Sequence, residues 1–587
     1  MMVRSLFLNR LSTTPKLLIT NDDDEYLLWK KKKRNVIKLC CKQGISRISS
    51  ELQLPVSESS TTTTSNMSAH LPSLTSLGLK EITLNRHTKS SELVDSSHGL
   101  GIVRFLRGKV FLITGATGFL AKVLIEKILR TVPDVGKIYI LIKAKDKEEA
   151  MQRIKTEIAD TELFKNLLQT HGKSHQKYLL SKLVPIVGNL CEPNLGIDME
   201  IADRAANEVD VIINSAGNTT FDERYDVALN TNTLGPCRFL SFAKRCKNLK
   251  LFLHISTAYV NGKRRGIVME KPFYLGDSIS REKAASEIPR RSFPLLDVEA
   301  EIKMAVDASK KFQDDVGSQK MIALGLERAR LYGWQDTYVF TKAMGEMMIE
   351  NQRGDVPVVI LRPSVIESTY KEPISGWIEG IRMMDPLTVA YAKGLLTGFP
   401  VDGKAAIDIV PADMVVNAIL AATVKHAAKK KQGLSVYHVG SSVVNPILLQ
   451  DFFCYNFDYF FSSPFMDLKK KPINIQRLKL FDSMDDFHSH IETEADKKSA
   501  VAIHEKNFAK RLRKSLDIAK HLANIYQPYM FYEGRFDDSN TQKLLKEMSD
   551  EEKRSFGFDA GSIDWKYYIC NIHIPGVLTH ALNGRGM

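Results

Sequence analysis

The sequence predicts an α/β fold: a doubly wound parallel sheet that carries a helical insertion and is followed by a smaller, mostly helical C-terminal domain. Three observations point there. From Lys109 onward short apolar runs alternate with longer helix-periodic segments. A glycine-bearing turn, Thr114-Gly-Ala-Thr-Gly-Phe-Leu-Ala121, joins the first run to the first helix, and past about Gly440 the composition turns aromatic and basic. The length of 587 residues agrees, since folded domains run to about 150 residues. The expected division is a leader over 1–98, a dinucleotide-binding domain over 99–440 with its insertion at about 263–335, and a C-terminal domain over 441–587.

In chain order, the leader shows no sustained apolar period. Its first twenty residues hold Arg4, Arg10, Lys16 and several hydroxyl side chains but no acid, the make-up of an organelle transit peptide; the acids from Asp22 to Glu25 and the basic run Lys30–Arg34 that follow leave an untargeted tail as the alternative. Strands are expected over Lys109–Thr114, Lys137–Ile142, Leu183–Val187, Val209–Asn214, Leu251–Ser256 and Val356–Arg362, with a helix over Phe119–Arg130. Such alternation implies right-handed crossovers, hence parallel strands with helices on both faces. The charged stretch from Gly262 to Trp334, with helices expected around Asp297–Phe312 and Gln319–Tyr332, breaks the alternation and reads as the insertion. A helix over Thr337–Glu350, an aromatic cluster at Phe452–Phe461 and a helical run near Glu494–Tyr526 complete the pattern.

The turn after the first strand carries cofactor chemistry. Gly115 permits a tight turn, Gly118 lets backbone approach a pyrophosphate, and small Ala121 allows the helix to pack close to the strand. Thr114, Thr117, Phe119 and Leu120 complete the cradle, and the helix N-terminus faces the phosphates. At the tip of the second strand Lys143, with Lys145 in support, suits the 2′-phosphate of NADP where an acid would suit NAD; a solvated basic edge is the plain alternative. Further cofactor contacts are expected from Asn189 and Leu190, from Ser215 and Ala216, from Asn232, and from the strand-end run Arg362-Pro363-Ser364-Val365. Taken singly, such residues read as turns or caps.

Tyr338 and Lys342 lie four apart on one helix, which puts phenol and ammonium on one face. A free phenol titrates near 10, so acid chemistry at neutral pH calls for a neighbouring cation, expected to be Lys342. Leu251–Ser256 reads as a buried strand that releases Ser256 and Thr257 at its carboxyl end, where a hydroxyl can hydrogen-bond a substrate oxygen. Strand-end capping is the competing explanation.

Bulk properties narrow the class. Hydrophobic residues make up 44% and charged residues 26%, as in globular proteins. No apolar run reaches the roughly 18 residues of a membrane span; Ile407–Val424 comes nearest but contains Asp408 and Asp413. The net charge of +14 favours an anionic partner. Seven cysteines without metal-type pairing fit a reducing compartment, and no metal is expected.

In order along the chain, TGATGFLA, NSAGNTTFDERYDVALNTNTLGP, STAYVNG, YVFTKAMGE and LRPSVIEST resemble the plant alcohol-forming fatty acyl-CoA reductases, and among them the plastid, male-sterility type of pollen-wall lipid synthesis. The resemblance runs from about Leu100 to the C-terminus, including GRFDDSNTQKLL from Gly534. It implies a Rossmann-like extended short-chain dehydrogenase fold, NADPH as cofactor, and a catalytic set of Thr257, Tyr338 and Lys342 with Ser256 as the fallback hydroxyl. It also implies a long-chain acyl-CoA or acyl-carrier-protein substrate, reduced through a bound aldehyde to a primary alcohol. Two positions stand apart: Ala121 replaces the third glycine of the cofactor turn, as is usual for these reductases, and Asn189, after Gly188, replaces the aspartate often seen in a Gly-Asp pair. A nucleotide-sugar epimerase or dehydratase holding NAD, and a catalytically silent NADP-sensing scaffold, are the competing readings. The insertion and C-terminal domain are expected to supply the substrate pocket. The aromatic cluster at Phe452–Phe461 reads as ordinary core more readily than as an acyl tunnel.

Overall fold

Leucine and β-branched side chains fill both faces of the expected strands, which only a sheet covered on both sides can bury. The computed structural model describes residues 99–165, 167, 172–286, 292–312, 315–428, 433–467, 469–501 and 506–584. The transit-peptide reading therefore lies outside the described residues. The strands that frame the site are β1 (Phe111–Thr114), β2 (Ile138–Ile142), β3 (Leu183–Val187), β4 (Val211–Asn214), β5 (Leu251–Ile255), β6 (Gly266–Val268), β7 (Val358–Pro363), β8 (Val365–Glu367), β9 (Leu434–Val439) and β10 (Gly534–Phe536). Seven of them form one parallel sheet in the order β9–β7–β5–β4–β1–β2–β3. Thr114 is in register with both Leu141 and Asn214. The order reverses between β1 and β4, so the ligand crevice lies beyond the carboxyl ends of these two strands.

Each expected strand forms; Leu183–Val187 keeps its expected bounds, and the others shift at one or both ends by a residue or two. The edge strand β9 is additional. Its Ser435 and His438 dilute the apolar signal, and pairing with β7 is what makes it a strand.

The helices that position the site are α1 (Phe119–Thr131), α2 (Val298–Lys311), α3 (Asp315–Tyr332), α4 (Thr337–Gln352), α5 (Ala412–Ala427), α6 (Leu449–Ser462) and α7 (Lys506–Met530). Helices α2 and α3 are those expected in the insertion. α5 absorbs most of the most apolar run; it is buried from Ala412 to Val424, and Asp413 accepts backbone N–H groups from Tyr370, Lys371 and Glu372. Among the described residues no helix is long and apolar enough to cross a membrane. The cluster Phe452–Phe461 lies on α6, where Phe452, Phe453 and Phe460 are core and Phe461 is 68% exposed. Beyond α7, β10 pairs in parallel with β6, Gly534 opposite Gly266, tying the C-terminal segment to the insertion.

Candidate active site

At the end of β1 the chain turns through Gly115 at φ +69°, and a Cβ there would stand 2.9 Å from Ala216 N. A Cβ on Gly118 would meet Gly115 O at 3.1 Å. Only bare backbone fits, and it leaves an open cradle at the N-terminus of α1 that matches a dinucleotide pyrophosphate. Phe119 begins α1 and stacks on Trp377 at 5.4 Å, while the Arg382 guanidinium lies 5.0 Å from the Phe119 ring centroid. Neither Trp377 nor Arg382 was singled out in the sequence, because they follow the last expected strand in a stretch without periodicity. Thr117, Phe119 and Leu120 lie in or beside this turn, as expected.

Lys143 and Lys145 are exposed at the tip of β2. Asn189 turns inward on its own loop, its Oδ1 accepting Cys191 N–H at 3.1 Å, and Leu190 is buried against Gly235. Ser215 and Ala216 follow β4 beside Gly115.

Beneath this crevice runs a buried chain of hydrogen bonds whose direction one backbone donor sets. Ala216 N–H donates to Thr114 Oγ1 (3.0 Å), so the Thr114 hydroxyl donates to Asn214 Oδ1 (2.7 Å) and Asn214 Nδ2 to His254 Nδ1 (3.1 Å). Burial, then the Lys342 charge, push the His254 imidazole well below its usual range. It is therefore neutral, and its Nε2 lies 3.4 Å from Lys342 Nζ. His254 was missed because a histidine inside an apolar strand does not reveal what it meets.

Lys342 Nζ donates to Ile255 O (2.7 Å), and a Cβ on Gly217 would stand 3.9 Å from it. The lysine is thus wedged between the end of β5 and the loop that abuts the cofactor turn. Burial pushes its ammonium down to about 8, with Glu346 opposing the shift. Gly345 makes this fit possible: a Cβ there would lie 2.3 Å from Asn232 O. Asn232 sits in a widened π-type turn, Leu229–Leu234, whose geometry often marks functional sites. Its side chain exchanges hydrogen bonds with both the N–H and the C=O of Asn218 (2.9 Å each) and reaches Thr341 Oγ1 at 3.2 Å, next to the lysine.

Asp336 caps α4 by accepting Val339 N–H at 2.9 Å. Tyr338 is partly exposed one residue into that helix, its ring 6.0 Å from Phe221. Burial, with the Asp336 charge added, pushes the phenol above its usual value. This corrects the expectation that Lys342 depresses it: the ammonium is drawn to Ile255 O, and burial with the Asp336 charge sets the phenol. Thr257 Oγ1 accepts Tyr259 N–H at 3.3 Å and keeps its own proton free to donate. Ser256 Oγ is buried without a partner.

Arg362 does not address a nicotinamide. It is fully buried, gripping Glu346 through Nε (3.0 Å) and Nη2 (2.5 Å) with Nη1 3.3 Å from His438 Nε2, because the alternation of β7 turns it into the sheet interior. Pro363 and Val365 remain at the strand end, and Val365 borders a small cavity.

A family model described as "Male sterility protein" matches residues 113–419, and a second with the same description matches 499–584. The chain is 55% identical over 507 residues to "Fatty acyl-CoA reductase 2, chloroplastic" of Arabidopsis thaliana, a match spanning 84% of this chain and 82% of that protein. It is 38% identical to "Alcohol-forming fatty acyl-CoA reductase" of Simmondsia chinensis, spanning 82% of this chain and 99% of the relative. Among solved structures, the terminal R domain of the myxalamid PKS-NRPS pathway superposes with a TM-score of 0.51 at 18% identity, over 81% of this chain and 92% of that one. That likeness speaks for the fold alone.

Proposed function

The chain belongs to the male sterility family of fatty acyl-CoA reductases, and we propose that it reduces a long-chain acyl thioester to a primary alcohol with NADPH, Thr257, Tyr338 and Lys342 carrying the reaction. The observation that carries this reading is the seat of Lys342, between Ile255 O at the end of β5 and the Gly217 loop that abuts Gly115. It brings the helix of Tyr338 against both the cofactor turn and the strand that releases Thr257.

Gly115, Gly118 and the α1 N-terminus would hold the pyrophosphate, exposed Lys143 and Lys145 the 2′-phosphate, and Lys342 the nicotinamide ribose. When bound, the cofactor supplies hydride, two equivalents for each acyl group. Thr257 and Tyr338 donate hydrogen bonds to the thioester oxygen and stabilise the charge that builds on it. The raised pKa of Tyr338 keeps its proton in place until an alkoxide of higher basicity takes it. The resulting hemithioacetal expels thiol, leaving an aldehyde for the same two hydroxyls to orient in the second reduction.

The relative of 55% identity is named chloroplastic, and the acid-free, hydroxyl-rich first twenty residues support a plastid location here too. The net charge of +14 suits either anionic carrier, and the plastid setting favours an acidic acyl carrier protein over coenzyme A. The division into a cofactor domain to about residue 440 and a C-terminal acyl-binding domain belongs to the same proposal.

The test offers palmitoyl thioesters on both carriers with NADPH and analyses products by mass spectrometry. Wild-type protein yields fatty alcohol, and Tyr338→Phe binds NADPH but forms almost none. Normal turnover by that variant would remove the phenol from the mechanism, and no NADPH oxidation by wild type on either carrier would sink the reading.

A further inference from the structure

Glu367, Asp385 and His573 come from three separate stretches of the chain and meet in the core. Glu367 ends β8, Asp385 opens the helix Asp385–Ala392, and His573 ends a widened π-type turn, Tyr568–His573, of the C-terminal segment. All three are at most 1% exposed. Gly376 and Gly576 let the C-terminal segment come this close, since a Cβ on Gly576 would overlap Gly376 O. His573 Nε2 stands 3.2 Å from Asp385 Oδ1 and 3.8 Å from Glu367 Oε2, and the three atoms lie within 4.8 Å of one another.

Each side chain is held from behind. Glu367 Oε1 accepts Met384 N–H (3.3 Å), Asp385 Oδ2 accepts Arg382 N–H (2.9 Å), and His573 Nδ1 lies 3.1 Å from Ser368 Oγ. The facing atoms, Glu367 Oε2, Asp385 Oδ1 and His573 Nε2, are buried and make no hydrogen bond, even to one another. Two carboxylates facing each other in the core repel, and one imidazole cannot neutralise both. The Arg382 guanidinium donates through Nε to Glu379 O (2.6 Å), and among the described residues no lysine or arginine pairs with either acid.

We propose that Glu367, Asp385 and His573 bind one divalent cation, which pins the C-terminal segment to the wall of the cofactor crevice. Zinc is the ion the set suits. It takes imidazole nitrogen and carboxylate oxygen at about 2.0–2.2 Å in tetrahedral geometry, which spaces ligand atoms about 3.3–3.6 Å apart. The two distances from Nε2 bracket that spacing. Ser368 Oγ can accept the Nδ1 proton and leave the Nε2 lone pair to the ion, the kind of outer support that histidine ligands have. Three protein ligands leave a fourth position to water. The clamp reaches the cofactor turn through Arg382, whose N–H rests on Asp385 and whose guanidinium lies 5.0 Å from the Phe119 ring. The sequence led to no expected metal because the three ligands share no local spacing. The proposal does not depend on the thioester reading.

The experiment purifies the full-length chain without a histidine tag, dialyses it against metal-free buffer and measures its metal content by plasma mass spectrometry, alongside Glu367→Gln, His573→Gln and Ser368→Ala. Wild type is expected to hold about one zinc per chain. Glu367→Gln and His573→Gln should hold at least about tenfold less, and Ser368→Ala should bind zinc about 10–100-fold more weakly. Chelation should lower the wild-type Tm, with Zn²⁺ but not Mg²⁺ restoring it. Cobalt(II) added to chelated wild type should give visible d–d bands without the near-ultraviolet charge-transfer band of a thiolate, a result that stands even where a ligand variant fails to fold. The assignment is overturned if wild type neither carries nor takes up zinc or cobalt, in which case a shared proton joins the two acids. A thiolate band overturns it as well, as does zinc retained in full by folded Glu367→Gln and His573→Gln.

Discussion

Two adjacent hydroxyls end β5, and the sequence alone does not choose between them. Thr257 accepts one N–H and keeps its proton to donate, so Thr257→Val is expected to lower kcat by about 10²–10³, the usual loss on removing one donor to a developing oxyanion. Ser256→Ala should change it only a few-fold; the reverse order in steady-state assays would exchange the roles. Lys342 gives a pH prediction. With the ammonium pushed down to about 8 from the usual lysine value, the folded protein favours the neutral amine. The stability linked to that preference is present above the usual value and lost as pH falls through about 8. A cation is needed for the ribose, so NADPH affinity is expected to be flat below about 8 and to weaken by about tenfold per unit above it. In Lys342→Arg the limb disappears, because arginine stays charged; a binding curve flat to about pH 10 in wild type would contradict this. Tyr338, Lys342 and the hydroxyl pair were legible because short local patterns hold them. His254 was not, since its partners Asn214 and Lys342 lie 40 and 88 residues away.

The strands and α4 were legible at the level of elements because apolar period is a local property that survives whatever the chain later packs against. Their ends and the edge strand β9 were not, since pairing decides them. The start of α4 illustrates this. The Asp336 cap is a local signal, yet the same carboxylate also receives the Tyr529 phenol of α7. Burial pushes the Asp336 carboxyl up to about 6 against those hydrogen bonds. A raised carboxyl favours the protonated folded state, so its contribution is full below the usual carboxylate range and lost as pH rises through about 6. Asp336→Ala is expected to cost about 2–3 kcal/mol, from a lost cap and a buried phenol left unpaired. Asp336→Asn should cost less and flatten the fall in stability between about pH 4 and 6. Urea unfolding across that window reads both effects; equal losses in the two variants would refute the account.

Across the whole molecule, the Arg362–Glu346 pair locks three separate parts together, since Arg362 ends β7, Glu346 belongs to α4, and His438 of β9 closes on the same guanidinium. All of this is fully buried. Glu346→Ala leaves an unpaired charge in the core and is expected to destabilise by about 3–5 kcal/mol, with part recovered by adding Arg362→Met. Denaturant unfolding of the single and double variants measures it, and a single variant as stable as wild type would show the pair to be idle. By itself the sequence determined the class of fold, the cofactor turn and the tyrosine–lysine spacing, because each is written in residues close enough along the chain to be governed by strand alternation, helical pitch or backbone sterics. Only tertiary structure decided that α7 reaches across 193 residues to the cap of the catalytic helix, that Arg362 turns inward, and that His573 meets Glu367 and Asp385. Those outcomes depend on which distant surfaces bury each other, and no local period encodes that.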